Sequence, residues 1–149
     1  MREALADLAA TVEHIGSTSV PGLAAKPIID IVLVVPNSAD EASYVPDLER
    51  SGYALRIREP GWFEHRVLRR QDPAVNLHVF SPGCIEVTRM LAFRDHLRRD
   101  ADDRARYEST KRLLARRRWR YVQNYADAKT DVVTEIMARA MKAATEADP

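Results

Sequence analysis

A single cysteine, Cys84, in a chain of 149 residues rules out an intramolecular disulfide and any cysteine-based zinc site. Nor is there an apolar run long enough to cross a bilayer. The N-terminus has neither the apolar core of a secretory signal nor the Arg-rich pattern of a transit peptide. The cytoplasm is therefore the expected compartment, and no membrane partner is expected. Internal repeats and low-complexity segments are missing too. An excess of one charge is also lacking: formal net charge is +1, which gives a nucleic-acid binder no support. That balance hides an uneven distribution, because residues 89–120 carry 12 Lys and Arg against 5 Asp and Glu, a local +7. Such a segment suits either a polyanion such as a nucleoside triphosphate or merely the solvated faces of helices.

With 46% apolar residues, the chain is the size of one domain and can bury a real core. Residues 13–35 hold most of its functional information. The run Ile28 to Val35 is short and rich in β-branched residues, as in a buried strand, and is interrupted only by Asp30. A carboxylate there costs several kcal/mol unless paired, so Asp30 needs a partner: a ligand or cation, or a side chain such as Lys26 or Arg66. Upstream, Gly16-Ser17 follows the short run Val12 to Ile15. A Gly-Ser pair leaving a strand lets the backbone approach a ligand and offers N–H and hydroxyl donors to phosphate oxygens. Two strands joined by a small-residue loop would thus bring Gly16, Ser17 and Asp30 to one phosphate and metal site. In that loop Pro21-Gly22 is a turn dipeptide, and Lys26, held extended before Pro27, can aim its ammonium along the cleft.

Taken in order, residues 2–11 show helical spacing and predict a short amphipathic helix ahead of the first strand. After the Asp30 strand, Asn37 or Ser38 can cap a helix over about 39–50, closed by Gly52. Tyr53–Arg58, Glu64–Arg70 and Ala74–Phe80 read as an antiparallel meander, giving a mixed sheet of about five strands. From Ser81 onward the period is helical, with helices over 85–99, 101–118 and 121–144 and Asp100 as an N-cap. The expected fold is α/β (α+β): a sheet part over about 1–83 and a helical part over about 84–145, in one domain.

Alternation places Asn76 and His78 on one face of the last strand, and lets only one of Glu13 and His14 share the face of Asp30. Glu13, Asp30 and His78 are therefore candidate acid–base residues, with Asp30 the candidate metal ligand. On the helices, Tyr107/Lys111 and Tyr125/Lys129 each stand at i, i+4, where Lys can meet phosphates and Tyr a base or ribose; core-packed Tyr with Lys reaching to water fits equally. Arg94 and Arg98, also at i, i+4, suit an anionic group or pairing with Asp95 and Asp102. His65 and His96 lie in polar, Arg-rich surroundings where exposed histidines are ordinary.

The string VEHIGSTSVPGLAAKPIIDI (residues 12–31) closely resembles the signature of the GrpB-like proteins, a branch of the nucleotidyltransferase superfamily. It is also similar to the domain fused behind dephospho-CoA kinase in some bacteria. NLHVF (76–80), FRDHLR (93–98), YESTK (107–111) and YADAKTDVV (125–133) resemble later motifs of that family in the same order. The resemblance implies a nucleotidyltransferase-like sheet with a C-terminal layer of about three helices. It also implies a small-molecule or nucleotide ligand, and Mg or Mn brought with a nucleoside triphosphate. Gly16 and Ser17 would hold its phosphates, and Lys111 or Lys129 would offset charge on pyrophosphate. Relatives carry a further segment before the first helix, so an internal or trimmed start is expected. The superfamily pattern asks for Asp-apolar-acid-apolar; Asp30 and Ile31 fit, but Val32 stands where the second acid belongs, and Asn76 or His78 where a third carboxylate would be. One carboxylate of three argues against two-metal catalysis. Three functions stay open: nucleotidyl transfer from a nucleoside triphosphate to a small acceptor, a non-catalytic module that binds or stabilises a partner, and the same cleft turned to other acid–base chemistry. Homo-oligomerisation is left open as well.

Overall fold

The computed structural model describes the backbone of residues 10–23, 27–116 and 122–147, and their side chains except at 114–116, 122–130 and 146–147. These residues fall into two compact units, one of residues 10–19 and 27–88 and one of residues 20–23, 89–116 and 122–147. The helix expected over residues 2–11 lies outside the described residues, apart from Ala10 and Thr11; Thr11 already opens the first strand.

The first unit is a five-stranded sheet built from β1 (Thr11–Ile15), β2 (Ile29–Val34), β3 (Ala54–Glu59), β4 (His65–Gln71) and β5 (Ala74–Phe80). Strand order is β1-β2-β5-β4-β3. β1 runs antiparallel to β2, β2 parallel to β5, and β3 to β5 form the expected antiparallel meander. One face carries Leu33, Val35, Leu68, Val75, Leu77 and Val79, packed with Tyr44, Val45, Leu48 and Tyr53. This is a two-period apolar pattern meeting the apolar side of a short helix.

That helix, α1 (Val45–Arg50), is shorter than the 39–50 expected from sequence. Asn37 Oδ1 accepts from the Ala39 N–H at 3.1 Å in a local turn, a 3-10 turn follows over Glu41–Ser43, and Pro46 sits in the first turn of α1. Gly52 does end it: at φ +93° it allows Gly52 N–H to reach Glu49 O at 3.0 Å and Tyr53 N–H to reach Leu48 O at 3.1 Å. Ser38, fully buried, ties together the ends of the two central parallel strands. Its hydroxyl meets Glu64 O at 2.8 Å and Ser81 Oγ at 3.0 Å, and Tyr44 OH donates to Ser38 O at 2.6 Å.

α2 (Ile85–Arg99) begins beside the sheet in sequence and continues into the second unit, which also holds α3 (Ala101–Arg116) and α4 (Val122–Ala147). Asp100 caps α3 as expected, accepting the Asp103 N–H at 3.0 Å. Val20, Leu23, Leu97 and Ile136 form the core here, with Phe93, Tyr107 and Val132 against it. No helix among the described residues is long and apolar enough to cross a membrane.

The polar link of this unit is Asp103, whose carboxylate is gripped at 2.6 Å by Arg139 Nε and Nη2 and at 2.6 Å by His96 Nε2. Chiefly the Arg139 hydrogen bonds hold its pKa down, from 3.8 to about 2. A carboxylate with a depressed folded pKa stabilises fully above its unfolded value and loses that contribution as pH falls through the folded value. Asp103→Asn is expected to cost about 1–3 kcal/mol at neutral pH, from two buried or half-buried donors left short of a charged acceptor. In thermal melts, the gap between variant and parent should narrow between about pH 4 and pH 2.

Candidate functional site

The site begins where β1 stops. Ile15 pairs with Asp30 across the ladder, so the next residue, Gly16, turns directly over the Asp30 side chain. Gly16 adopts φ +74°, and a Cβ placed there would lie 2.9 Å from Asp30 Oδ2 and 3.1 Å from Asp30 Cβ. Only glycine fits both the left-handed backbone and this close approach. The chain then enters a 3-10 turn over Ser17–Ser19, in which the Ser19 N–H and hydroxyl both donate to Gly16 O, at 3.0 and 2.6 Å. The Gly-Ser turn and the acid of the second strand thus converge as expected, with Gly16 exposed and Asp30 half-buried.

Asp30 has partners, though not the cations weighed from sequence. Arg66 is engaged elsewhere, with Glu41 at 2.8 Å and Glu64 at 3.3 Å, and Lys26 lies outside the described residues. His78 Nε2 lies 3.5 Å from Asp30 Oδ1, and Asn76, its neighbour in register on β5, hydrogen-bonds the carboxylate. Burial pushes the Asp30 carboxyl up, but the His78 and Asn76 hydrogen bonds and the nearby His78 and His14 rings outweigh it, so its pKa falls below 3.8.

Behind His78 stands a residue that sequence reasoning placed at the surface. His65 is buried, not exposed. It stacks on Phe80 at 4.7 Å and on His78 at 5.4 Å, with Nε2 3.2 Å from His78 Nδ1 and Nδ1 2.7 Å from Glu59 Oε1. A chain therefore runs Glu59, His65, His78, Asp30. Its three links need three N–H hydrogens on two imidazoles, whereas two neutral rings carry only two. All links are satisfied together only when the pair holds one extra proton. Burial is the main reason His65 is held below the usual 6.5, so it resists taking that proton. The arrangement can relay a proton between the Glu59–His65 pair and the Asp30 carboxylate.

Glu13 shares the Asp30 face, since it pairs with Val32, whereas His14 alternates away and its Nε2 meets Thr18 Oγ1 at 2.8 Å. Val32 itself is fully buried, with no acid in its place. A single carboxylate with one imidazole and an amide is a poor cage for a two-metal pair; it suits one cation whose remaining ligands come from phosphate oxygens and water. Another trio, His96, Asp100 and Asp103, brings ligand-type atoms within 4.8 Å of one another, but Arg139 already neutralises Asp103. His96 is likewise buried rather than exposed.

The helical candidates belong to the second unit. Arg94 meets Asp95 at 2.9 Å and Arg98 lies 4.0 Å from the same carboxylate, so the pairing reading holds for Asp95. Tyr107 packs on the core edge against Phe93, with Lys111 Nζ 5.3 Å from its ring centroid. The side chains of Tyr125 and Lys129 lie outside those described.

A family model described as GrpB protein matches residues 1–139 of this chain. The chain belongs to the GrpB family. Among curated relatives of this GrpB chain, UPF0157 protein BH1888 of Halalkalibacterium halodurans is 62% identical over 140 residues, covering 94% of this chain and 72% of that protein. The crystal structure of conserved protein GrpB from Enterococcus faecalis is 33% identical with a TM-score of 0.79, covering 95% of this chain and 86% of that one. Cid1, solved in complex with the UTP analog UMPNPP, is only 15% identical but reaches a TM-score of 0.52 over 77% of this chain and 35% of its own. The GrpB chain thus has a nucleotidyltransferase-like fold.

The Gly16 contact yields a direct test. Gly16→Ala should cost about 1–3 kcal/mol, from φ strain and the Asp30 clash together. Part of that cost should vanish in an Asp30→Ala background, read from denaturant melts of the four proteins in the cycle.

Proposed function

We propose that the cleft formed by Gly16, Ser17 and Asp30 binds a nucleotide or related phosphate ligand and transfers a nucleotidyl group from a nucleoside triphosphate to a small acceptor. The observation that carries this reading is the 2.9 Å approach of the Gly16 Cβ position to Asp30 Oδ2. It brings a phosphate-compatible turn and the strand acid into one place, as transfer chemistry on this fold requires. The nucleotidyltransferase-like fold and the solved complex of a fold neighbour with a UTP analog lend further support.

In this reading the Gly16 and Ser17 backbone and the Ser17 hydroxyl hold phosphate oxygens, and Asp30 orients them from the adjacent strand. A single magnesium or manganese ion arriving with the nucleotide would offset charge on the transferring phosphoryl group, held on the protein side by Asp30. His78, 3.5 Å from Asp30, takes the proton from the acceptor's attacking group. Asn76 keeps the carboxylate in place.

A second reading rests on Val32 and Asn76, an apolar side chain and an amide where further acids would stand. It makes the chain a non-catalytic binding or partner-stabilising module that keeps the fold. Two measurements separate the readings. A bound triphosphate at a hundred times its dissociation constant should stabilise the protein by about 2.7 kcal/mol, seen as a concentration-dependent rise in Tm. A transferase must also release pyrophosphate when an acceptor is supplied, and Asp30→Asn should lower that release by orders of magnitude while reducing the thermal shift far less. A thermal shift without pyrophosphate release favours the module. No stabilisation by ATP, GTP or CTP with either metal would contradict nucleotide binding altogether.

A further inference from the structure

The row of residues running across the sheet at the level of Asp30 does not stop at Asp30. Register pairs Ile15 with Asp30, Asp30 with Asn76, Asn76 with Arg69 and Arg69 with Ala54, so one line crosses all five strands. Gly16 and Ser17 close one end of that line. At the other end lies a cavity of about 710 Å³ lined by Ile28, Arg56, Arg69, Arg70, Gln71 and Asn76, among others. It holds three arginines and no acid among its lining residues.

Among the described residues, no carboxylate lies within ion-pairing distance of Arg56, Arg69 or Arg70. Their contacts to neutral groups leave charge to spare. Arg69 Nε donates to Asn76 Oδ1 at 3.2 Å, and the Arg70 guanidinium carbon stands 5.8 Å from the Tyr53 ring centroid. Arg56 sits at the register shift between Leu55 and Ile57, the kind of irregularity that re-aims a side chain. Elsewhere in the same sheet the arginines are paired, Arg58 and Arg66 both with Glu41. Three guanidinium groups with no carboxylate partner among the described residues line one cavity, and an anion that accepts their forked hydrogen bonds would offset their charge.

We propose that Arg56, Arg69 and Arg70 form a phosphate-binding site at the β3–β4–β5 end of the row, taking the phosphate of a phosphorylated small molecule. Arg69 lies two strands from Asp30, a backbone separation of roughly 10 Å at ordinary strand spacing. Asn76 bridges the two, bonded to Asp30 on one side and to Arg69 on the other. This phosphate is therefore a second anion next to the one assigned to Gly16 and Ser17. Its identification as the acceptor's own phosphate rests on the transferase reading; the anion site itself does not.

The probes are inorganic phosphate, ribose 5-phosphate, ribose and ATP with magnesium, titrated by calorimetry into the parent, Arg56→Gln, Arg69→Gln, Arg70→Gln and Ser17→Ala. Phosphate and ribose 5-phosphate should bind while ribose does not. Each arginine variant should weaken both by about tenfold, the loss expected for one charged hydrogen-bonding partner. Arg69→Lys, which keeps charge but not the fork, should fall between. ATP affinity should change less than about threefold in the arginine variants and drop in Ser17→Ala. Circular dichroism melts exclude loss of fold as the cause. Unchanged phosphate binding in all three arginine variants overturns the site. So does an equal loss of phosphate and ATP binding in the arginine variants, which would mean the nucleotide's own tail occupies the cavity. If phosphate binding follows the arginines and ATP does not bind at all, the anion site stands and the nucleotide reading falls.

Discussion

A carboxylate set in an apolar strand has to be paired, and the sheet is arranged around that requirement at Asp30. Burial alone would raise its pKa; the imidazole of His78 and the amide of Asn76 outweigh that and lower it, and both come from the parallel neighbour β5. The parallel pairing of β2 with β5 is thus what completes the site. Antiparallel β1 adds the third side, ending where a glycine can pass within van der Waals distance of the carboxylate without a Cβ to collide with it. The opposite face of the same strands is left to the apolar core, so one ladder divides packing from chemistry.

The pairing of Asp30 with neutral or singly protonated groups, rather than with a buried arginine, has a chemical consequence. A fixed guanidinium would neutralise the acid permanently. An imidazole backed by a second imidazole and by Glu59 instead forms a hydrogen-bonded chain whose links one shared proton completes, and the Asp30 side chain stays 33% exposed. The arginines near the sheet are kept apart from it. Arg58 and Arg66 are committed to Glu41, whose acid the Arg58 and Arg66 hydrogen bonds hold down at about 2, and Arg69 reaches Asp30 only through Asn76.

Much of this was legible in the residues. The meander, the helix boundaries at 85–99, the caps at Gly52 and Asp100 and the meeting of Gly16 with Asp30 follow from period, turn chemistry and motif spacing. The histidine chain did not emerge, because His65 lies among Arg66, Arg69 and Arg70 and local composition reads as surface. The signal was present in a different form: the tight turn at Asp72-Pro73 fixes the β4–β5 register, and counting outward from it sets His65 opposite Phe80 and diagonal to His78 on the Asp30 face. His96 was misjudged for the same reason: the carboxylate it meets, Asp103, is held in turn by Arg139, 36 residues further along on α4, a contact no local window contains. The α1 segment came out short because Asn37 spends its side chain on a turn at Ala39, and helical geometry starts only beyond Tyr44.

The convergence of the Gly16–Ser17 turn with Asp30 and His78 as a ligand site is tested most directly by nuclear magnetic resonance, following the Gly16 and Ser17 amides and the His78 and His65 ring signals during titration with a nucleoside triphosphate and magnesium. The account predicts saturable shifts at Gly16, Ser17 and His78, with His65 following through its bond to His78. Saturable binding that leaves these four residues unmoved while perturbing others would contradict it.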